Sequence, residues 1–223
     1  MSPQQPNPGH IAGPLTNLPA AAPGLIDLNR RAVLASAALV DRVTAADLVR
    51  PTPCAGWTLA DLLAHMTVQH HGFAAAVRGH GADPASWAAP PNTPADPVTG
   101  YAEAAAVVLA AFAEDGAADR PFALPEILPG VTFPGRQAIG FHLVDYVVHA
   151  WDVARALGLP CSLDDDVVAA ALMVAINVPD GPNRRAPGAA FQPSAPVPAG
   201  AVPLDQIVAL LGRPPAWPAP DPA

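Results

Sequence analysis

Apolar positions recur at three- and four-residue intervals along most of the chain, and prolines and glycines cut that rhythm into segments. The spacing predicts a first helix over about Ile26 to Arg42, with Leu28, Val33, Leu34, Ala37 and Val40 as its apolar stripe. Thr44-Ala45-Ala46-Asp47 has capping-box-like spacing and predicts a short turn. Two prolines and a glycine exclude regular helix from Arg50-Pro51-Thr52-Pro53-Cys54-Ala55-Gly56-Trp57. Thr58-Leu59-Ala60-Asp61 repeats the capping pattern and opens a second helix, striped by Leu59, Leu62, Leu63, Met66, Phe73 and Val77 and ending near Arg78-Gly79. After a polar, Pro-rich connection (80–97), a third helix runs from about Val98 to Ala113.

Within 115–135, the apolar runs Phe122-Ala123-Leu124 and Val131-Thr132-Phe133 flank a Pro-Gly turn signal, which predicts a small hairpin. A fourth helix is expected from about Arg136 to Leu157, stopping at Gly158 and Pro160. A fifth starts near Ser162, with Asp164, Asp165 and Asp166 at the positive end of its dipole, and ends before Pro179. A short last helix spans Leu204 to Leu211. The fold class is therefore mainly α, an up-down four-helix bundle with additions. We expect a flexible Pro-rich arm over 1–23, the bundle over 24–178, and an extension over 179–223 packed on it.

Composition narrows the function. Of 223 residues, 51% are hydrophobic, enough for a core. No apolar run approaches the ~18 residues of a membrane span, and the N-terminus lacks the basic start and apolar stretch of a secretion signal. A cytoplasmic protein with no membrane partner is expected. The net charge of -8, the pI near 5.1 and the absence of lysine argue against nucleic acid, whose phosphates need a basic surface. Cys54 and Cys161 are too few for a disulfide framework or a four-cysteine zinc site.

The fourth helical pattern carries the chemistry. At about 100° per residue, His142, Asp145, His149 and Asp152 fall in one arc, flanked on both sides by apolar residues. Buried imidazoles and carboxylates are costly unless paired or bound to a metal. The four-residue step from Asp145 to His149 lets both reach one ion. His65, at the edge of the second helix's stripe, is the best third ligand. Three protein ligands with an open position is the pattern of a catalytic metal. Two imidazoles and a carboxylate suit a divalent ion, zinc first, with nickel, iron or manganese compatible. His142, one turn before Asp145, is the candidate catalytic residue, as an orienting group or a general base.

These motifs also have a familiar look. Arg50-Pro51-Thr52-Pro53-Cys54-Ala55-Gly56-Trp57-Thr58-Leu59-Ala60-Asp61-Leu62-Leu63-Ala64-His65 resembles the opening of the mycothiol-dependent maleylpyruvate isomerase metal-binding domain, a DinB-like four-helix bundle. Asp145-Tyr146-Val147-Val148-His149-Ala150-Trp151-Asp152-Val153-Ala154 is similar to that family's second ligand motif, and Pro203 to Arg213 resembles the ending of an actinobacterial-type branch. The resemblance implies His65, Asp145 and His149 as metal ligands and mycothiol as a possible cofactor. The family often has Glu where Asp145 stands, so here the metal must sit nearer the helix or be held less tightly.

Other residues have plainer readings. Asp152 accepts a hydrogen bond from a ligand imidazole or pairs with Arg155, and a structural role is favoured. His70 and His71 read as packing or surface residues, Cys54 as a small buried residue, and Trp57 and Trp151 as bundle packing. Arg184 and Arg185 read as a solvated loop pair, with carboxylate binding as the functional option. The expected function is a metal-dependent enzyme, a thiol-assisted transferase or isomerase acting on a small electrophilic substrate, with a homodimer possible. The alternatives are a non-catalytic metal- or ligand-binding scaffold and a metal-dependent hydrolase. Phosphate-binding, dinucleotide and nucleophile-elbow motifs are absent from the sequence.

Overall fold

A computed structural model describes residues 24–186 and 189–218. The arm expected over 1–23 lies outside the described residues. The elements are helices α1 (Leu25–Val40), α2 (Leu59–Val77), α3 (Pro97–Phe112), α4 (Gly135–Leu157), α5 (Asp165–Ala175) and α6 (Pro203–Leu210), with strands β1 (Pro121–Ala123) and β2 (Thr132–Pro134). The protein is mainly helical, as the apolar spacing predicts, and each boundary falls within a few residues of expectation.

Side-chain chemistry explains where the helices start and stop. Thr58 and Asp61 close a reciprocal capping box on α2, satisfying amides that the first turn leaves without partners. Asp96 caps α3 through the Thr99 amide. Gly158 takes φ of 70° at the end of α4, a conformation glycine adopts without steric cost. Asp164 precedes α5, and Arg31 of α1 bridges Asp164 and Asp166 at 2.7 and 2.6 Å, tying the start of α5 to the bundle.

The four longer helices pack in the cyclic order α1–α4–α2–α3, with α1 against α4 and α2 against α3 as the most extensive contacts. α5 covers the α1/α4 side, and α6 packs on α5. The hairpin pairs Phe122 with Phe133 and sends both rings into the core. One apolar cluster gathers Leu28, Phe73, Val108, Phe112, Ile139, Leu143, Val147 and Val167. A second gathers Val33, Leu59, Leu62, Leu63, Met66, Tyr101 and Tyr146. α4 runs between them and is buried on almost every side, so its polar residues have to be satisfied by other protein groups. No helix among the described residues is long and apolar enough to cross a membrane.

Candidate metal centre

The loop before α2 sets one wall of the site. The amide of Thr52 bonds the Trp57 carbonyl at 3.1 Å, and that of Leu59 bonds the Arg50 carbonyl at 2.9 Å, while Gly56 supplies a φ of 80°. The Arg50 guanidinium donates to the Ala156 carbonyl at 3.2 Å, pinning this loop to the end of α4. The turn holds Cys54 and Trp57 beside the first turns of α2, and the Trp57 ring lies 5.0 Å from the His65 ring.

α4 supplies the opposite wall. His149 turns its two ring nitrogens to two carboxylates. Nε2 lies 3.3 Å from Asp145 Oδ1, and Nδ1 lies 3.0 Å from Asp152 Oδ2. The His65 ring comes from α2 to 5.4 Å of the His149 ring, edge-on. One ligand atom from each of His65, Asp145 and His149 lies within 4.8 Å of the other two. His149 is buried, while His65 and Asp145 are half-buried, so the triad faces solvent on one side.

The donor set fits a divalent ion. Tetrahedral bonds of 2.0–2.1 Å place ligand atoms roughly 3.3 Å apart, which the Asp145–His149 pair already meets and the three together approach. Burial holds the His65 imidazole down to about 4, helped by the neighbouring His149 and opposed by Asp145, so it is neutral near pH 7 with a lone pair to offer. Burial works against a charge on His149, yet Asp145 and Asp152 outweigh it and hold the ring well above its ordinary value. Burial also works against the Asp145 anion, and the His149 charge more than offsets it, keeping Asp145 well below the usual carboxylate range. A cation at Nε2 would take the place of the proton these carboxylates favour. The bond from Nδ1 to Asp152 is of the kind that would fix the tautomer and orientation of this ring if Nε2 held a metal.

The remaining candidates stand outside the triad. His142 is fully buried in the bundle. Its Nδ1 meets the Asn29 amide at 2.8 Å, and its Nε2 meets His70 Nδ1 at 3.2 Å. Phe73, Phe112 and Tyr146 surround it. His70, a packing residue as expected, stacks on Tyr146 at 4.0 Å. Asp152 bonds His149 and pairs with Arg213, not with Arg155, which lies over the Trp151 ring. Arg184 is neither solvated nor free for a carboxylate, because its guanidinium is spent on the carbonyls of Val178, Pro179, Gln192 and Leu210. Cys54 is half-buried and donates to Asp152 at 3.3 Å. Sequence reasoning missed Asn29 and Arg213. Each is an isolated polar residue whose partner lies 113 or 61 positions away, so no local pattern reveals it.

Comparison with known proteins gives the family of the chain. The profile of the mycothiol maleylpyruvate isomerase N-terminal domain matches residues 30–154, the stretch that contains His65, Asp145 and His149. The chain belongs to that family. It is also 36% identical over 189 residues to uncharacterised proteins from two strains of Mycobacterium tuberculosis, covering 83% of this chain and 95% of each relative. No solved structure matches the chain significantly.

Proposed function

We propose that this protein is a metal-dependent enzyme that uses a low-molecular-weight thiol, mycothiol by family, to transfer to or isomerise a small electrophilic substrate. The observation that carries the reading is the convergence of His65 from α2 with Asp145 and His149 from α4, their ligand atoms within 4.8 Å of one another. Zinc is the first choice of ion. When bound, it supplies a Lewis acid that favours the thiolate form of a coordinated thiol near neutral pH.

The chain's own groups do the rest. Neutral His65 and the Asp145 carboxylate offer their lone pairs from opposite walls. Asp152 holds the Nδ1 proton of His149 and so keeps Nε2 turned toward Asp145. The half-buried edge formed by His65 and Asp145 leaves the approach side to the thiol and the electrophile. Trp57, packed against His65 and 37% exposed, walls that side with an apolar face. His142 has protein partners at both ring nitrogens, and we assign it to the packing of α1, α2 and α4 around the site. The two free thiols and the thiol co-substrate suit a reducing cytoplasm.

The test has two parts. Elemental analysis of protein purified without added metal should find one zinc equivalent per chain, lost in His149→Ala. The metal-loaded protein should then either transfer mycothiol to a small electrophile, consuming the thiol, or isomerise the electrophile with the thiol released unchanged. A wild-type chain that takes up no divalent metal refutes the site, and a loaded chain that, with mycothiol present, neither transfers thiol nor isomerises any electrophile is reduced to a binding module.

A further inference from the structure

The domain match ends at residue 154, yet a side chain from far beyond it enters the site. After α6 the chain turns at Gly212, where φ is 84° and a Cβ would fall 2.5 Å from the Gln192 carbonyl oxygen. The turn is fastened by the Arg213 amide on the Val208 carbonyl at 2.8 Å. The Arg213 side chain runs inward under the Phe191 ring, its guanidinium 5.6 Å from the ring centre. It is buried, at 5% exposure, and it meets Asp152 with two nitrogens, Nε at 3.4 Å from Oδ1 and Nη2 at 3.2 Å from Oδ2. Nη2 also lies 3.4 Å from Cys54 Sγ, and Nη1 donates to the Leu211 carbonyl at 2.8 Å.

Asp152 needs such a partner. Its carboxylate is fully buried, and it also meets the Nδ1 of His149, whose ring would be neutral once a cation replaced the proton on Nε2, and the uncharged Cys54 thiol. A buried anion without a counter-charge is strongly disfavoured. The guanidinium fork also engages both carboxylate oxygens, which fixes the plane of the carboxylate as well as its charge. Fixing Asp152 fixes the His149 ring, because Oδ2 receives the Nδ1 contact.

We infer that Arg213 is a positioning residue for the metal ligand His149, acting through Asp152, so that the C-terminal extension completes a site whose ligands all lie in the N-terminal domain. This rests on the metal-site reading above. Outer-shell contacts of this kind change metal affinity by about 10- to 100-fold.

The experiment is a zinc and cobalt titration of the full-length chain against a chromophoric chelator, with the visible spectrum of the cobalt form recorded. Wild type is measured first, and failure to bind either ion refutes the site itself, apart from any role of Arg213. If wild type binds, Arg213→Met should weaken binding about 10- to 100-fold and change the cobalt spectrum, and Arg213→Lys should recover part of the loss. Asp152→Asn should weaken binding comparably, and the double variant should be no weaker than Asp152→Asn alone, because both changes break one chain of contacts. Arg185→Met removes an exposed arginine of the same extension, away from Asp152 and Arg213, and its affinity should stay at the wild-type level. Wild-type affinity and spectrum in Arg213→Met overturn the inference, as do losses that multiply in the double variant or an equal loss in Arg185→Met. If Arg213→Met does not fold, the cycle is run with Arg213→Lys and judged by the same outcomes.

Discussion

The buried histidine pair makes stability fall with acid in a window where carboxylates are silent. His142 is pushed down to about 3 by burial, against 6.5 in an unfolded chain. Asp145 opposes that shift only in part. A histidine kept neutral in the fold binds fewer protons than the unfolded chain, so its contribution is intact above 6.5 and erodes as pH falls toward 3. Between about pH 7 and pH 5, the unfolded chain takes up about 0.7 of a proton at this position and the folded chain almost none. That removes about 2 kcal/mol, a sizeable part of a total of roughly 5–15 kcal/mol. His70, lowered by burial and by its neighbour His142, and His65, lowered to about 4, add losses of the same sign. His149 works the other way. Its contribution is full below 6.5 and declines as pH rises toward its higher folded value, so acidification over this window adds a little stability. Asp145 and Asp152 titrate below their unfolded value of 3.8 and stay charged throughout. The assay is urea unfolding at several pH values with a chelator present, comparing wild type with His142→Gln, which keeps a polar partner for Asn29. The variant's stability should fall by about 2 kcal/mol less than the wild type's between these limits. Parallel curves, or a wild-type curve that is flat from pH 7 to pH 5, would show that the buried ring is not held neutral by its surroundings.

Two further substitutions test the scaffold around the site. Gly135 opens α4 against the carbonyl oxygens of Ala117, Ala118 and Arg120, and a Cβ there would lie 2.6–2.8 Å from all three. Gly135→Ala should cost about 1–3 kcal/mol in chemical denaturation, while Gly24→Ala, with nothing within 4 Å of its Cβ, serves as the neutral comparison. Thr58→Ala removes one half of the α2 capping box and should lower stability by about 1 kcal/mol, seen as a fall of a few degrees in Tm with the helical content of the folded state preserved.

Much of the fold could be read because its signals are local. The capping box at Thr58 and Asp61, the glycine after Leu157 and the three aspartates at the start of α5 each act within one turn of helix. The hairpin was legible for the same reason, since the Phe122 and Phe133 runs flank a turn that brings them face to face. Packing order is another matter. The apolar stripe of α1 shows that it has a buried face but says nothing about the choice of α4 as its main partner, which depends on shapes meeting across more than a hundred residues.

The site divides along the same line. Asp145 and His149 share a helical face by periodicity, and their 3.3 Å contact follows from the four-residue step. His65 was within reach because its motif is compact. His142 shares that arc by spacing, and yet it meets Asn29 and His70 in a sealed part of the bundle. An arc on a wheel gives direction around the helix axis but not what stands opposite at each level, and three residues move a side chain about 4.5 Å along the axis. At the level of Asp145 and His149, the facing residues are His65 and the 50–58 loop. One turn earlier they are α1 and the middle of α2. The periodicity that reveals a buried ionisable stripe therefore cannot divide it into a part that opens to solvent and a part sealed by packing. That division is made by the neighbouring helices, and here the level of Asp145 marks the change.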